Sequence, residues 1–308
     1  MSNPEYSLRQ LAYFVAVAEA GTLAGASATL HVSASALSLA LDELERALDA
    51  QLTVRRRAHG IRLTPAGQET LRRARRLLRE AGELADAAAG DPGDVAGTVR
   101  VGCYTTLAPE LLPAAIGRFT ARHPRARVEF VEGSQDVLAR GLLEGELDVA
   151  VLYDHRLDPA LSLTAVSSNT PHLVLPHGHR LLRDETDGTD EADEAPVALA
   201  DLGDEAMVLL DLPPSSEHAL GVCLAAGLSP RVRYRTANAE TARALVGQGL
   251  GFTVLAHADP GARRRDDVVA VPIAERPAPL GIVLAWSAQV APTATARAFA
   301  AAVGPTPG

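Results

Sequence analysis

Lysine is missing from this chain of 308 residues: all 29 basic residues are arginine, set against 38 carboxylates. Cysteine is scarce, with Cys103 and Cys223 alone and far apart, and there is no CxxC and no Cys/His cluster. That excludes a disulfide framework and offers no structural zinc spacing, in keeping with a reducing, cytoplasmic setting. No run of 18 apolar residues occurs, and the first ten residues are polar with no signal-peptide core. A membrane span and a standard secretion route are therefore not expected. A Gly-rich phosphate loop, a GxSxG and paired carboxylates at a strand end are also missing, which leaves an α/β enzyme as a weak rival reading. What is present is a globular composition, 47% hydrophobic and 22% charged, with length enough for two domains.

The net charge of -9 argues against a protein that coats nucleic acid with its whole surface. The distribution differs from the total. Residues 1–89 hold 11 arginines against 10 acids, and the rest carries the acidic excess. Between Thr53 and Arg79 there are 9 arginines and one acid, Glu69, a local positive stripe on an acidic molecule.

The first 89 residues read as helices. Leu8, Leu11, Phe14, Val15, Val17 and Ala18 recur at helical spacing up to Gly21. Thr22 caps a second short helix to Leu30, and Ser33 caps a third to about Leu48, with Ala36, Leu37, Ala40, Leu41, Leu44 and Leu48 as its inward stripe. Two short helices on a tight connection form the helix-turn-helix pattern. Residues 52–54 and 60–63 read as strands flanking Arg55, Arg56, Arg57, Ala58 and His59, a hairpin with a basic tip suited to a phosphate backbone or minor groove. The bland alternative for these arginines is a solvated loop. Thr64-Pro65 starts a long helix, and Leu71, Leu78 and Ala85, with Ala74, Ala81 and Ala88, form a narrow seam suited to helix pairing. Arg72, Arg73, Arg75, Arg76 and Arg79 are expected to be the wet face of that helix.

Gly90-Asp91-Pro92-Gly93 marks a domain boundary. Beyond it strands at 99–104, 127–131, 147–153, 206–212, 232–237 and 251–255 alternate with helices at 107–120, 135–144, 217–226 and 239–248. This is α/β architecture in two similar halves, with ligands expected at the carboxyl ends of the strands. Residues 184–194 hold seven acids and no base, a solvated loop.

These residues resemble a LysR-type transcriptional regulator along nearly the whole chain. The resemblance rests on Leu8-Arg9-Gln10-Leu11-Ala12-Tyr13-Phe14-Val15-Ala16-Val17-Ala18-Glu19, Leu30-His31-Val32-Ser33, Ala36-Leu37-Ser38, Leu44-Glu45 and Leu63-Thr64-Pro65-Ala66-Gly67. It continues through Leu112-Pro113, Phe119-Thr120-Ala121-Arg122-His123-Pro124, Leu142-Leu143-Glu144-Gly145-Glu146-Leu147-Asp148 and Gly249-Leu250-Gly251, in order and at the right spacing. It implies a winged helix-turn-helix over 1–63, a linker helix pairing two subunits over 64–90, and a two-lobed α/β effector domain resembling periplasmic binding proteins over 91–308. The expected lobes are 99–165 plus 268–308, and 166–267. The implied partners are double-stranded promoter DNA, a small-molecule effector and a second copy of the chain, as homodimer or homotetramer. RNA polymerase stays open as a further partner, and no cofactor, metal or membrane is expected. The rival reading is a solute-binding protein without DNA function, against which residues 1–89 count.

The expected DNA contacts are Ser33, Ala34, Ser35 and Ser38 at the start of the third helix, with Arg55, Arg56, Arg57 and Arg62 in the wing. Ala34 stands where the family usually has a long polar residue, Thr53 replaces an aromatic, and no basic residue lies from Ser33 to Glu45. None of these serines makes a bidentate base contact. Two outcomes follow: sequence read largely by shape with affinity from the arginines, or weak DNA binding.

For the effector, Thr105 and Thr106 follow the first strand, and Ser134 the second, so hydroxyls and helix N–H groups there suit an anion. Tyr153, Ser215, Ser216 and Asn238 complete the candidate cleft, while for Ser134, Ser215 and Asn238 ordinary helix capping is the alternative. His172, His177 and His179 lack a third ligand at metal spacing. Cys103 reads as a small buried hydrophobe, and the close cysteine pair of peroxide-sensing relatives is absent.

Overall fold

The computed structural model describes residues 5–56, 60–89, 95–182, 195–256, 264–265 and 267–304. Arg57, Ala58 and His59, the break at 90–93 and the acidic stretch 184–194 lie outside the described residues.

The N-terminal unit is built on local capping. Helix α1 (Leu8–Ala20) begins in a reciprocal Ser7–Gln10 capping box and ends on Gly21 in the left-handed region. Thr22 caps α2 (Leu23–Leu30), and Ser33 caps α3 (Ala34–Ala47) by accepting from the Ala36 N–H at 3.2 Å. Leu37, Ala40, Leu41 and Leu44 of α3 are buried, and all but Ala40 share one core with Leu11, Phe14, Val17 and Ala26. Ala36 is exposed and does not belong to that stripe.

The wing is β1 (Thr53–Arg56) paired antiparallel with β2 (Gly60–Leu63), Thr53 opposite Leu63. Leu52 is a buried core residue ahead of the strand, and Arg55 and Arg56 belong to the strand and not to the tip. Thr53 is buried, and the Glu45 carboxylate of α3 accepts from the Leu52 N–H, the Thr53 N–H and the Thr53 hydroxyl at 2.7, 2.8 and 3.1 Å. A hydroxyl thus replaces the expected aromatic because it completes a three-donor grip on one carboxylate.

Helix α4 (Pro65–Ala89) starts where expected, with Thr64 accepting from the Gly67 N–H. Its seam is not wholly free for a partner. Leu71, Ala74, Leu77 and Leu78 pack into the core of the chain's own head, while Leu84 is 73% exposed. The side chains of Ala85 and Ala88 lie outside the described residues.

The first lobe carries β3 (Gly97–Tyr104), α5 (Ala108–Arg122), β4 (Ala126–Gly133), α6 (Gln135–Leu143) and β5 (Val149–Tyr153), then β6 (Leu161–Asn169). The chain crosses to β7 (His172–Pro176), β8 (Ala206–Leu210), α7 (Ser215–Ala225), β9 (Arg231–Thr236), α8 (Ala239–Gly247), β10 (Thr253–Leu255), β11 (Arg264–Arg265) and β12 (Val268–Pro272). It returns through β13 (Leu280–Ser287) and α9 (Ala294–Val303). The first sheet has order β4-β3-β5-β13-β6, with β3 parallel to β4 and β5 and β13 antiparallel to both its neighbours. In the second, β10-β7-β12-β11 joins the β8-β9 pair through Phe252, which bonds Ala206 and Val208.

The lobe limits therefore shift. β6 stays with the first sheet through Asn169, and β12 belongs to the second, so the crossovers fall near 170–171 and 273–279. Among the described residues, no single helix is long and apolar enough to cross a membrane.

One glycine holds the wing and linker together. A Cβ at Gly67 would lie 2.0 Å from the Leu52 carbonyl oxygen, whereas one at Gly82 meets nothing within 4 Å. Gly67→Ala is expected to destabilise by about 2–3 kcal/mol through this clash, and Gly82→Ala to stabilise by about 0.5–1 kcal/mol by removing unfolded-state freedom. Urea denaturation of both variants checks the pair of signs.

Candidate functional site

Two regions carry the candidate chemistry: the winged helix-turn-helix head and the strand ends between the lobes, joined by α4. On the head, Ala34 and Ser35 are exposed on the first turn of α3, and Ser38 is half-buried. The Ser33 hydroxyl is committed to its cap and lies 3.0 Å from the Ser35 hydroxyl. Arg62 is exposed on β2 opposite Val54. Arg55 and Arg56 stand on the paired strand, and Arg57 lies outside the described residues.

In the cleft, β6 runs parallel to β5 because both pair antiparallel with β13. The carboxyl ends of β3, β5 and β6 therefore point the same way, and Thr106, Tyr153 and Asn169 sit at these ends. Their polar atoms, Thr106 Oγ1, Tyr153 OH and Asn169 Nδ2, are buried and have no hydrogen-bond partner of standard geometry. Burial pushes the Tyr153 phenol above its ordinary value, and the nearby Thr106 and Asn169 groups pull it partly back. The phenol stays protonated and can donate. Leaving such groups without good partners costs about 1–3 kcal/mol each, so the three polar atoms meet one another at the strand ends.

Other candidate residues are placed differently. Thr105 is tied to the end of β4 through its N–H and hydroxyl, both donating to Gly133 O. The Ser134 hydroxyl donates to Asp136 at 2.5 Å and does not cap α6. Ser215 and Ser216 are buried in the first turn of α7, and Asn238 is exposed and caps α8 through Thr241 N–H.

Sequence reasoning missed several groups that shape this cleft. The Tyr104 hydroxyl, on β3, donates to Leu212 O at 2.9 Å or pairs with the Ser215 hydroxyl at 3.0 Å, a direct link between lobes. Burial raises its pKa. Glu217 on α7 takes His155 and Arg156 of the first lobe at 3.1 and 2.9 Å. Gln135 bridges α6 and β5, donating to His155 O and accepting from Tyr153 N–H. The alternation of residues 161–165 was the available signal for β6 and hence for Asn169.

The arginines of α4 are not simply a wet face. Arg72 and Arg73 pair with Glu69 on the surface, as expected. Arg75, by contrast, is buried and holds Glu19 of α1 at 3.2 Å, Glu146 at 3.0 Å and Glu144 O at 3.1 Å. Arg79 donates to Gly145 O and pairs with the buried Asp148, which also accepts from the Arg100 N–H. The expectation failed because the loop before β5 presents its carbonyls and carboxylates directly to this helix. Burial raises Asp148 and lowers Arg79 despite their 3.1 Å approach, so desolvation outweighs attraction.

Comparison with known proteins agrees with this arrangement. Residues 8–68 match the model for the bacterial regulatory helix-turn-helix protein, lysR family, and residues 92–306 that for the LysR substrate binding domain. The chain is similar to HinK, a LysR family transcriptional regulator from Pseudomonas aeruginosa, at 34% identity and TM-score 0.61, covering 97% of each chain. It is 45% identical to the C-terminal domain of a probable LysR family transcriptional regulator from Rhodococcus sp. RHA1, with TM-score 0.59, covering 68% of this chain and 99% of that one. It is 29% identical to the DNA-binding transcriptional dual regulator OxyR of Escherichia coli (strain K12), over 86% of this chain and 84% of the relative.

Asp148→Asn leaves the Arg79 cation without its counter-charge and is expected to destabilise by about 3 kcal/mol. Adding Arg79→Met should recover most of that loss. The two denaturation midpoints form a double-mutant cycle, and no recovery would mean the groups are energetically independent.

Proposed function

Because the chain belongs to the LysR family of transcriptional regulators, we propose that it is a one-component switch at promoter DNA, set by a small anionic effector in the interlobe cleft. The observation that carries this reading is the buried polar cluster of Thr106 Oγ1, Tyr153 OH and Asn169 Nδ2, which interact with one another but satisfy no standard hydrogen-bond geometry. All three can donate, so the cluster suits an acceptor oxygen such as one of a carboxylate. Ser215 and Ser216 line the opposite lobe, with Thr105, Ser134 and Asn238 at the rim.

On the DNA side, Ser33, Ala34, Ser35 and Ser38 face the major groove, while Arg55, Arg56, Arg57 and Arg62 neutralise phosphates. Affinity comes from the wing and selectivity largely from duplex shape, since the helix offers no bidentate side chain. The chain works as a homodimer or homotetramer in the cytoplasm, beside RNA polymerase, and carries out no reaction of its own. The solute-binding alternative has no use for the helix-turn-helix head.

The route between the two sites runs through the strand that ends in Tyr153. Asp148 precedes that strand and holds Arg79, while Glu144 and Glu146 hold Arg75, which holds Glu19 in the head. An effector biases this route only by binding one lobe arrangement better than another. A peroxide signal, as in the name of the hydrogen peroxide-inducible genes activator of Pectobacterium carotovorum subsp. carotovorum, 29% identical over 86% of this chain, is not favoured. Cys103 and Cys223 are buried in separate cores, and burial pushes both thiols up, Cys223 to about 11. Neither presents a thiolate.

Two measurements test the reading. Changing Arg55, Arg56 and Arg57 to Ala should weaken binding to every duplex and flatten the log–log salt slope by about 0.9 for each phosphate that is no longer neutralised. An unchanged slope removes the wing from the mechanism. In a thermal-shift series with aliphatic carboxylates, at least one acid should raise the melting temperature of the full chain, and Thr106→Val with Tyr153→Phe should abolish that rise. Absence of any rise with the unaltered chain, or its survival in the double variant, rejects the cleft assignment.

A further inference from the structure

Leu39 stands on the side of α3 that does no packing. The residues of that helix turned inward are Leu37, Ala40, Leu41 and Leu44, whereas Leu39 lies on the opposite face and is 59% exposed. Ser35, four residues earlier, and Asp42, three later, share this face and are exposed too. Single exposed leucines are common on protein surfaces. This one falls within the first two turns of the helix assigned above to the major groove, where a helix-turn-helix meets base edges.

Each base edge in that groove asks for a different side chain. Guanine takes paired donors from Arg or Lys, adenine takes an Asn or Gln amide, and cytosine takes an acidic acceptor. Thymine alone offers a C5-methyl group, which suits apolar carbon. From Ser33 to Glu45 there is no Arg, Lys, Asn or Gln. The nearest cation along the helix, Arg46, lies two turns beyond Leu39, and the acid on the outer face, Asp42, comes only in the third turn. The large exposed side chain in the first two turns is a hydrocarbon.

We propose that Leu39 reads thymine directly, by packing its side chain on the C5-methyl group, so that each half-site of the target carries a thymine at a fixed position. This rests on the reading of α3 as the element that enters the major groove, and it adds one direct base contact to the selectivity drawn from duplex shape. Glu45, in the same helix, fastens the root of the wing, so the phosphate contacts of the wing fix how deeply Leu39 enters. Taking one methyl group out of water against the leucine is worth a factor of about four. Two half-sites read by a paired head then give on the order of tenfold.

Because Leu39 is exposed, Leu39→Ala opens no cavity and leaves the head folded. Duplexes enriched by the full chain from a random pool are re-amplified with dTTP or with dUTP, which differ in the C5-methyl group alone, and titrated at constant ionic strength. The unaltered chain should bind the uracil duplexes on the order of tenfold more weakly than the thymine duplexes. Leu39→Ala should bind the two sets within about twofold of each other. Equal binding of both sets by the unaltered chain overturns the proposal. So does a loss that Leu39→Ala retains in full, which places the methyl effect in duplex shape or in another side chain. A chain that enriches no duplex at all fails at the DNA reading itself, and the proposal falls with it.

Discussion

A guanidinium with almost no access to water stands where three parts of the chain meet. Arg75 leaves α4, takes Glu19 from the head, and takes Glu146 and the Glu144 carbonyl from the effector lobe. A buried cation needs such partners, because desolvation penalises each one it lacks. The partners come from elements that share no hydrophobic core: the head closes on Phe14 and Leu41, the first lobe on Phe119 and Val151. Orientation between head and lobe is therefore set by polar contacts of defined geometry. Apolar packing would tolerate sliding; a forked cation between two carboxylates and a carbonyl does not.

Arg79 and Asp148 repeat the device one turn along the helix at a less favourable balance, since burial moves both groups toward neutrality. Such a pair adds little net stability but discriminates strongly between aligned and misaligned arrangements. That ties the linker helix to the effector lobe in one defined register. Asp148 also accepts from the backbone of β3, and β5 runs from it to Tyr153, so the helix–lobe contact and the strand ends between the lobes share one strand pair.

Much of this was legible in the amino-acid order. Caps at Thr22, Ser33 and Thr64 announce their helices because a side-chain oxygen before an apolar period has few other uses. The five consecutive apolar residues of β5 read as a doubly covered strand. Less legible were β6, whose outer half turns polar toward Asn169, and β7, β12 and β13, apolar runs that fall outside the regular strand–helix alternation, and with them the true lobe limits. The arginines of α4 misled for a different reason. Helical spacing shows which residues share a face, but whether that face meets water or another domain's carboxylates is decided by a loop 70 residues away in sequence. Residue placement in the cleft was partly visible from strand ends, yet which hydroxyls are free depends on neighbours such as Asp136 and Gly133.

The grip of Glu45 on the root of the wing has an outcome for how this protein acquires new target sites. With Leu52 and Thr53 fastened to α3 through one carboxylate, and Gly67 wedged beneath, wing and reading helix form a single rigid tool. Its bite angle is locked. On the proposed reading, divergence toward other promoters proceeds by swapping exposed side chains of α3 such as Ala34 and Ser35, because re-angling the wing would break several bonds at once.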